Sequence, residues 1–191
     1  MKTALRNQFR RLRESLSAQD VTTASDMLCR RLSEWSLLQD AAVVLTYLAF
    51  RNEPDLSALF TRLAHIRWVV PRVDGRFLSL HKYHPGRLVR HRYGMWEPAA
   101  DLPTVDAAQI DLVLTPGVAF DRRGGRLGFG GGFYDRLLPT TPALRVGIAY
   151  DVCLVEALPM GERDQWMDWI ATPAQLIHCR RPPAPASNLN A

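Results

Sequence analysis

The sequence predicts an α/β fold: a single layered domain with a mixed, largely parallel sheet flanked by helices. Three observations carry this. Apolar runs rich in β-branched and aromatic residues, AAVVLTYL at 41–48, WVVP at 68–71 and DLVLTP at 111–116, have the length and make-up of buried strands. Segments with helical spacing alternate with them, as a parallel sheet requires. The 191 residues are 47% hydrophobic and 23% charged, an ordinary globular balance for one core.

In chain order, residues 2–14 form a helix with two stripes. Leu5, Phe9, Leu12 and Leu16 make an apolar stripe for docking, and Lys2, Arg6, Arg10 and Arg13 lie beside it. Ser17-Ala-Gln-Asp20 is a capping box with Asp in place of Glu or Gln. It opens a second helix with Val21, Ala24, Leu28, Leu32 and Trp35 inward. The strand at 41–48 follows, then a helix from Pro54 to about His65, then the strand at 68–71. Asp74-Gly75 turns the chain into FLSLHKY, 77–83, whose alternation marks a half-buried strand. Residues 84–104 read as a shaped loop. After the strand at 111–116 come a short helix near 132–138 and strands at 145–150 and 168–171. Residues 1–178 make the expected domain, and the proline-rich 179–191 an expected disordered tail.

The formal net charge of +5 rests almost wholly on arginine, since Lys2 and Lys82 are the only lysines. That balance suggests an anionic partner: nucleic acid, an acidic surface or a phosphorylated small molecule. Cys29, Cys153 and Cys179 are widely spaced and form no C-x-x-C pair, which argues against a disulfide framework or a zinc site. No apolar run reaches membrane-spanning length, and the opening residues have no signal-peptide core. A cytoplasmic monomer without membrane or nucleic-acid partners is expected.

Half of the twelve glycines fall between Gly124 and Gly132, in RRGGRLGFGGGFYDR at 122–136. The stretch follows a central strand and precedes a helix, where α/β sheets bind ligands. Backbone N–H groups cleared of side chains form a nest for anionic oxygens. Gly131 is expected at positive φ, where glycine is at ease. Arg126 offers a planar fork suited to phosphate. Asp135 fits no anion directly, but it fits a divalent cation placed between it and the phosphates. These residues together suggest a nucleoside triphosphate with magnesium. Neither a Walker loop nor a dinucleotide fingerprint is present.

The same stretch, extended to TPGVAFDRRGGRLGFGGGFYDRLLP at 115–139, resembles the signature of the 5-formyltetrahydrofolate cyclo-ligase family, also called 5,10-methenyltetrahydrofolate synthetases. KTALRNQFRRLRESLS at 2–17, YLAFRNEPD at 47–55, YGMWEP at 93–98 and VGIAYDVCLVEALPMGERDQWMDWIATP at 146–173 resemble further segments of the family in the same order. The resemblance implies a mixed α/β fold and the ATP- and Mg²⁺-dependent conversion of 5-formyltetrahydrofolate to 5,10-methenyltetrahydrofolate, with release of ADP and phosphate.

On that pattern Lys2 and Arg6 match ATP contacts, and Lys2 and Arg126 would carry the chemistry. Arg126, Leu127, Gly128, Phe129, Gly130, Gly131, Gly132, Phe133 and Tyr134 match the ATP loop. Asp135 and Asp164 match metal-binding carboxylates. Leu48 and Glu53 match folate contacts, with Phe50 between them, and Trp96 is a stacking candidate alongside Tyr93. By residue type alone Glu53 would be an exposed loop carboxylate. The chain departs from the family pattern at Phe129, where some members carry a basic residue, at Cys153, usually glutamine, and at Arg163, often histidine. Two other readings stay open on the residues alone: a nucleotide- or sugar-phosphate-binding protein without turnover, and a basic nucleic-acid-binding module.

Overall fold

The computed structural model describes residues 1–180. Its helices are α1 (Lys2–Glu14), α2 (Ala18–Ser33), α3 (Ser36–Gln39), α4 (Ala58–Arg62) and α5 (Phe133–Leu137). Its strands are β1 (Val43–Leu45), β2 (Arg67–Asp74), β3 (Phe77–Lys82), β4 (Leu88–Arg90), β5 (Trp96–Pro98), β6 (Leu112–Pro116), β7 (Ala119–Asp121), β8 (Arg126–Leu127), β9 (Leu144–Ile148), β10 (Leu154–Val155), β11 (Trp169–Ala171) and β12 (Leu176–His178).

Seven strands form the main sheet in the order β12-β11-β9-β6-β1-β2-β3. The five central strands pair in parallel, and β3 and β12 close the edges antiparallel. This is the mixed, largely parallel sheet expected. Strand alternation divides the core between its two faces. Val43, Leu45 and Val113 pack with Phe9, Phe120 and Leu138. Val44, Leu112 and Leu114 face the other way, onto Leu28, Leu32 and Leu59. Because both faces are covered, the strands read as continuous apolar runs.

The chain runs from β1 outward to β2 and β3, then returns to β6 on the other side of β1. The crevice beyond the carboxyl ends of β1 and β6 is thus a topological switch point, where ligands bind in such sheets.

Several expected elements are adjusted. The first strand ends at Leu45, and residues 46–50 leave the sheet to line the crevice. The fourth helix starts at Ala58 rather than Pro54 because residues 54–57 are tied down elsewhere. Tyr47 Oη donates to the Pro54 carbonyl at 2.8 Å, and the Asp55 N–H to Ser25 Oγ at 3.0 Å. The loop at 84–104 contains the β4–β5 hairpin. Helix α1 docks on the expected stripe with one exchange: Phe9 is buried, but Leu12 is 37% exposed and Arg13 is buried instead. Leu5 and Leu16 flank them, partly buried against the core.

The capping box at Ser17 is present, with Ser17 Oγ accepting from the Asp20 N–H at 3.1 Å. The tail expected from residue 179 falls, beyond Arg180, outside the described residues. Cys179 itself is buried, with its N–H donating to the Asp168 carbonyl at 2.9 Å. Among the described residues, no helix is long and apolar enough to cross a membrane.

Candidate active site

One cavity of about 420 Å³ opens over the carboxyl ends of β1 and β6. Every residue from Arg126 to Asp135 lines it, together with Lys2, Arg6, Leu48, Phe50, Glu53, Trp96 and Asp164. The whole set of sequence-predicted site residues is therefore brought to one place.

The glycine side is built from a buried turn. Asp121, fully buried at the end of β7, accepts from the N–H groups of Arg123, Gly125 and Leu158 at 2.9, 2.9 and 2.8 Å. That carboxylate fixes the β7–β8 hairpin, and β8 delivers Arg126 into the cavity wall. The Arg126 guanidinium donates to the Pro116 carbonyl at 3.3 Å and to Asp135 Oδ1 at 2.5 Å. Lys2 reaches across from α1 to pair with Asp164, which also accepts from the Gly161 N–H at 2.5 Å. Burial pushes the Asp164 carboxyl up, but Lys2 and the Gly161 N–H outweigh it and hold the group below its ordinary range.

The loop that follows is gripped through its carbonyls. Arg6 Nε donates to Gly128 O at 2.8 Å, Arg10 Nη2 to Phe129 O at 2.7 Å, and Arg136 Nη2 to Gly131 O at 2.8 Å. Gly130 and Gly132 have φ of 106° and 66°, a region favouring glycine. Gly131 does not, contrary to expectation. A Cβ there would instead meet the Phe133 ring at 2.8 Å.

The other side of the cavity is aromatic and apolar, with Phe50, Trp96, Met95 and Val73 around one carboxylate. Glu53 is not the exposed loop residue its type suggests, since its side chain is only 10% exposed. It accepts from the Phe50 N–H at 3.0 Å and lies 3.8 Å from Arg13 Nη1. Burial pushes its carboxyl up to about 7, against the opposing pull of Arg13 and the Phe50 N–H. Arg51 and Asn52 hold left-handed backbone at φ of 50° and 55°, uncommon for side-chain-bearing residues. Asn52 Nδ2 secures the bend by donating to the carbonyls of Arg13 and Leu16 at the end of α1. Trp96 and Tyr93 stand exposed at the rim, beneath the guanidinium groups of Arg90 and Arg92.

Asp135 and Asp164, which the resemblance matches to metal-binding carboxylates, are each ion-paired to an arginine or lysine of the site. Among the described residues no group of three or more His, Cys, Asp or Glu gathers as a metal cluster. Sequence reasoning also passes over Tyr47, Met95 and Glu97, which line the cavity from inside apolar or loop segments. Arg10 and Arg13 are visible in the basic stripe, but nothing in the spacing tells that Arg13 is buried. Cys29 and Cys153 are buried free thiols, each pushed up to about 11 by burial, which suits idle core residues.

The cavity is thus cationic and glycine-lined on one wall and aromatic with the buried Glu53 carboxylate on the other. The model of the 5-formyltetrahydrofolate cyclo-ligase family matches residues 1–173, and the chain belongs to that family. It is 33% identical over 179 residues to the 5-formyltetrahydrofolate cyclo-ligase of Escherichia coli strain K12, covering 88% of this chain and 98% of that one. It resembles the solved 5,10-methenyltetrahydrofolate synthetase of Aquifex aeolicus with a TM-score of 0.85 at 30% identity, covering 98% and 97% of the two chains. The Mycoplasma pneumoniae 5,10-methenyltetrahydrofolate synthetase structure matches with a TM-score of 0.74 at 26% identity, over 90% and 98%.

Proposed function

We infer that this chain is an ATP-dependent ligase that converts 5-formyltetrahydrofolate to 5,10-methenyltetrahydrofolate. The observation that carries the reading is one cavity lined together by the cations of α1, the glycine loop and the buried Glu53.

The chemistry explains why such a cavity suits the reaction. A formyl oxygen on nitrogen is a poor leaving group, and ring closure requires its loss. In the proposed path that oxygen attacks the γ-phosphorus and ADP departs. N10 then attacks the activated carbon and gives up its proton to solvent, and phosphate leaves with the former formyl oxygen. Phosphoryl transfer needs mainly positioning and charge neutralisation. Lys2, Arg6 and Arg126 supply positive charge where the triphosphate would lie, and the loop N–H groups supply oriented donors. Glu53 would accept paired N–H groups of the pterin, as a carboxylate accepts parallel donors well. Phe50 and Trp96 would flank the flat ring.

The donor set also fits magnesium. Asp135 and Asp164 are two carboxylates on the phosphate side, and Mg²⁺ is typically held by one or two carboxylates plus phosphate oxygens. When bound, the ion would neutralise phosphate charge. Arrival of the triphosphate would draw Lys2 and Arg126 onto its oxygens and leave both carboxylates available. The buried thiols agree with a cytoplasmic setting.

The test is to follow methenyltetrahydrofolate formation by its absorbance, with ATP and without it. Product that appears only with ATP supports the reading. Nucleotide binding with no folate-dependent turnover would instead select the sensor reading.

A further inference from the structure

Arg13 is the side chain through which the two walls of the cavity touch. Its guanidinium carbon lies 5.1 Å from the centroid of the Phe129 ring in the glycine loop. Its Nη1 lies 3.8 Å from Glu53 Oε1, beyond hydrogen-bonding distance. The side chain is 5% exposed, and neither Nε nor Nη1 has a hydrogen-bond partner. A buried guanidinium with idle donors is unfavourable, and closing the gap to Glu53 would satisfy at least one of them.

Phe129 is the other neighbour of that guanidinium. Arg10 holds the Phe129 carbonyl at 2.7 Å, and its own guanidinium sits 5.9 Å from the ring. The ring is 38% exposed. Glu53 is fixed from beyond by the Phe50 N–H. A chain of neighbours thus runs from the loop ring through Arg13 and Glu53 to the aromatic wall, open only at the 3.8 Å gap between Arg13 and Glu53.

We propose that Arg13 is a positioning residue that couples the two ligands. A nucleotide on the glycine loop settles Phe129 against the guanidinium and presses it onto Glu53, which then presents an oriented carboxylate to the folate. Nucleotide and folate therefore bind with positive cooperativity, and the coupling passes through the Phe129 ring. This rests on the assignment of the two walls made above.

The experiment is calorimetric titration with 5-formyltetrahydrofolate in magnesium buffer, with and without a β,γ-imido analogue of ATP. The readout is the ratio of the two dissociation constants, in which any loss common to both states cancels. The wild type should show a ratio of about fivefold or more. Phe129→Tyr keeps a ring and should keep the ratio. Phe129→Leu and Arg13→Met should bring it close to unity. If Arg13→Met fails to fold, Phe129→Leu decides alone, because its side chain is partly exposed. A ratio that survives in Phe129→Leu, or a wild type that binds both ligands independently, overturns the coupling. A wild type that binds neither ligand overturns the assignment of the walls, and the coupling with it.

Discussion

Arg126 and Asp135 stand nine residues apart and meet across the glycine loop, Nη2 donating to Oδ1 at 2.5 Å. The arginine side chain is 4% exposed and the aspartate 27%, so the carboxylate is what makes the buried charge tolerable. One pair thereby stabilises the fold, and under the proposed function each partner would take a different duty: Arg126 toward phosphate, Asp135 toward the metal.

Asp135→Asn should consequently cost both stability and activity. The amide keeps an acceptor oxygen but no charge, so the protein without nucleotide should lose about 1–3 kcal/mol. Activity should fall about tenfold or more through lost metal positioning. Melting curves with and without Mg·ATP, beside kcat/KM, check both. Wild-type turnover across magnesium concentrations would remove the metal role from this residue.

Lys2 tests whether the basic stripe of α1 is functional. Its pair with Asp164 is partly exposed on both sides, and such pairs contribute about 0–1 kcal/mol. Lys2→Ala should therefore leave the melting temperature without nucleotide nearly unchanged. The KM for ATP should rise, with about 1.5–3 kcal/mol lost if a charge-assisted bond to phosphate disappears. An unaltered KM would reduce the stripe to a solvated face.

Glu53 gives a pH signature. Its carboxyl is raised from the ordinary 4.5 to about 7. Between those values the folded protein holds a proton that the unfolded chain has released, so this group lowers stability as pH rises through the window. Glu53→Gln should accordingly gain stability relative to wild type as pH rises from about 4 to about 8. Each tenfold difference in proton affinity between the folded and unfolded chain corresponds to about 1.4 kcal/mol. Folate affinity in the wild type should move the other way, rising through about pH 7 as the carboxylate becomes charged. The groups facing it are Arg13, Tyr47, Tyr134 and Tyr150, and burial pushes all three phenols upward, clear of this window. Equal affinity on both sides of that pH would show that Glu53 does not bind the ring.

Gly130→Ala addresses the loop itself. The φ of 106° is strained for any side chain, at a cost of about 1–3 kcal/mol. The expected result is a weakened nucleotide affinity, with a loss of global stability no larger than that strain because the residue is exposed. Unaltered affinity by calorimetry would place the phosphates elsewhere.

The fold was legible where local pattern and tertiary role agree. The runs at 41–48 and 111–116 contain the central parallel strands because both faces of the sheet are covered. The capping box at Ser17 declared its helix, because the side chains that cap it are adjacent in sequence. Helix α1 was legible as a helix and in most of its docking stripe, but not in the burial of Arg13, which lies beside a carboxylate forty residues away in sequence. The site residues followed from the signature stretch and its resemblance. What remained hidden were pairings across the fold: Lys2 with Asp164, Arg13 with Glu53, and the grip of Arg6 and Arg10 on loop carbonyls. No spacing rule encodes these, because each joins segments that only the sheet topology brings together.

On the proposed function, the two walls hold ATP and the formyl group close enough for direct transfer. Labelling the formyl oxygen of 5-formyltetrahydrofolate with oxygen-18, and analysing the released phosphate by mass spectrometry, tests this most directly. Transfer predicts one labelled oxygen in each phosphate formed, in step with methenyl product. Unlabelled phosphate, with the label lost to water, would contradict the account.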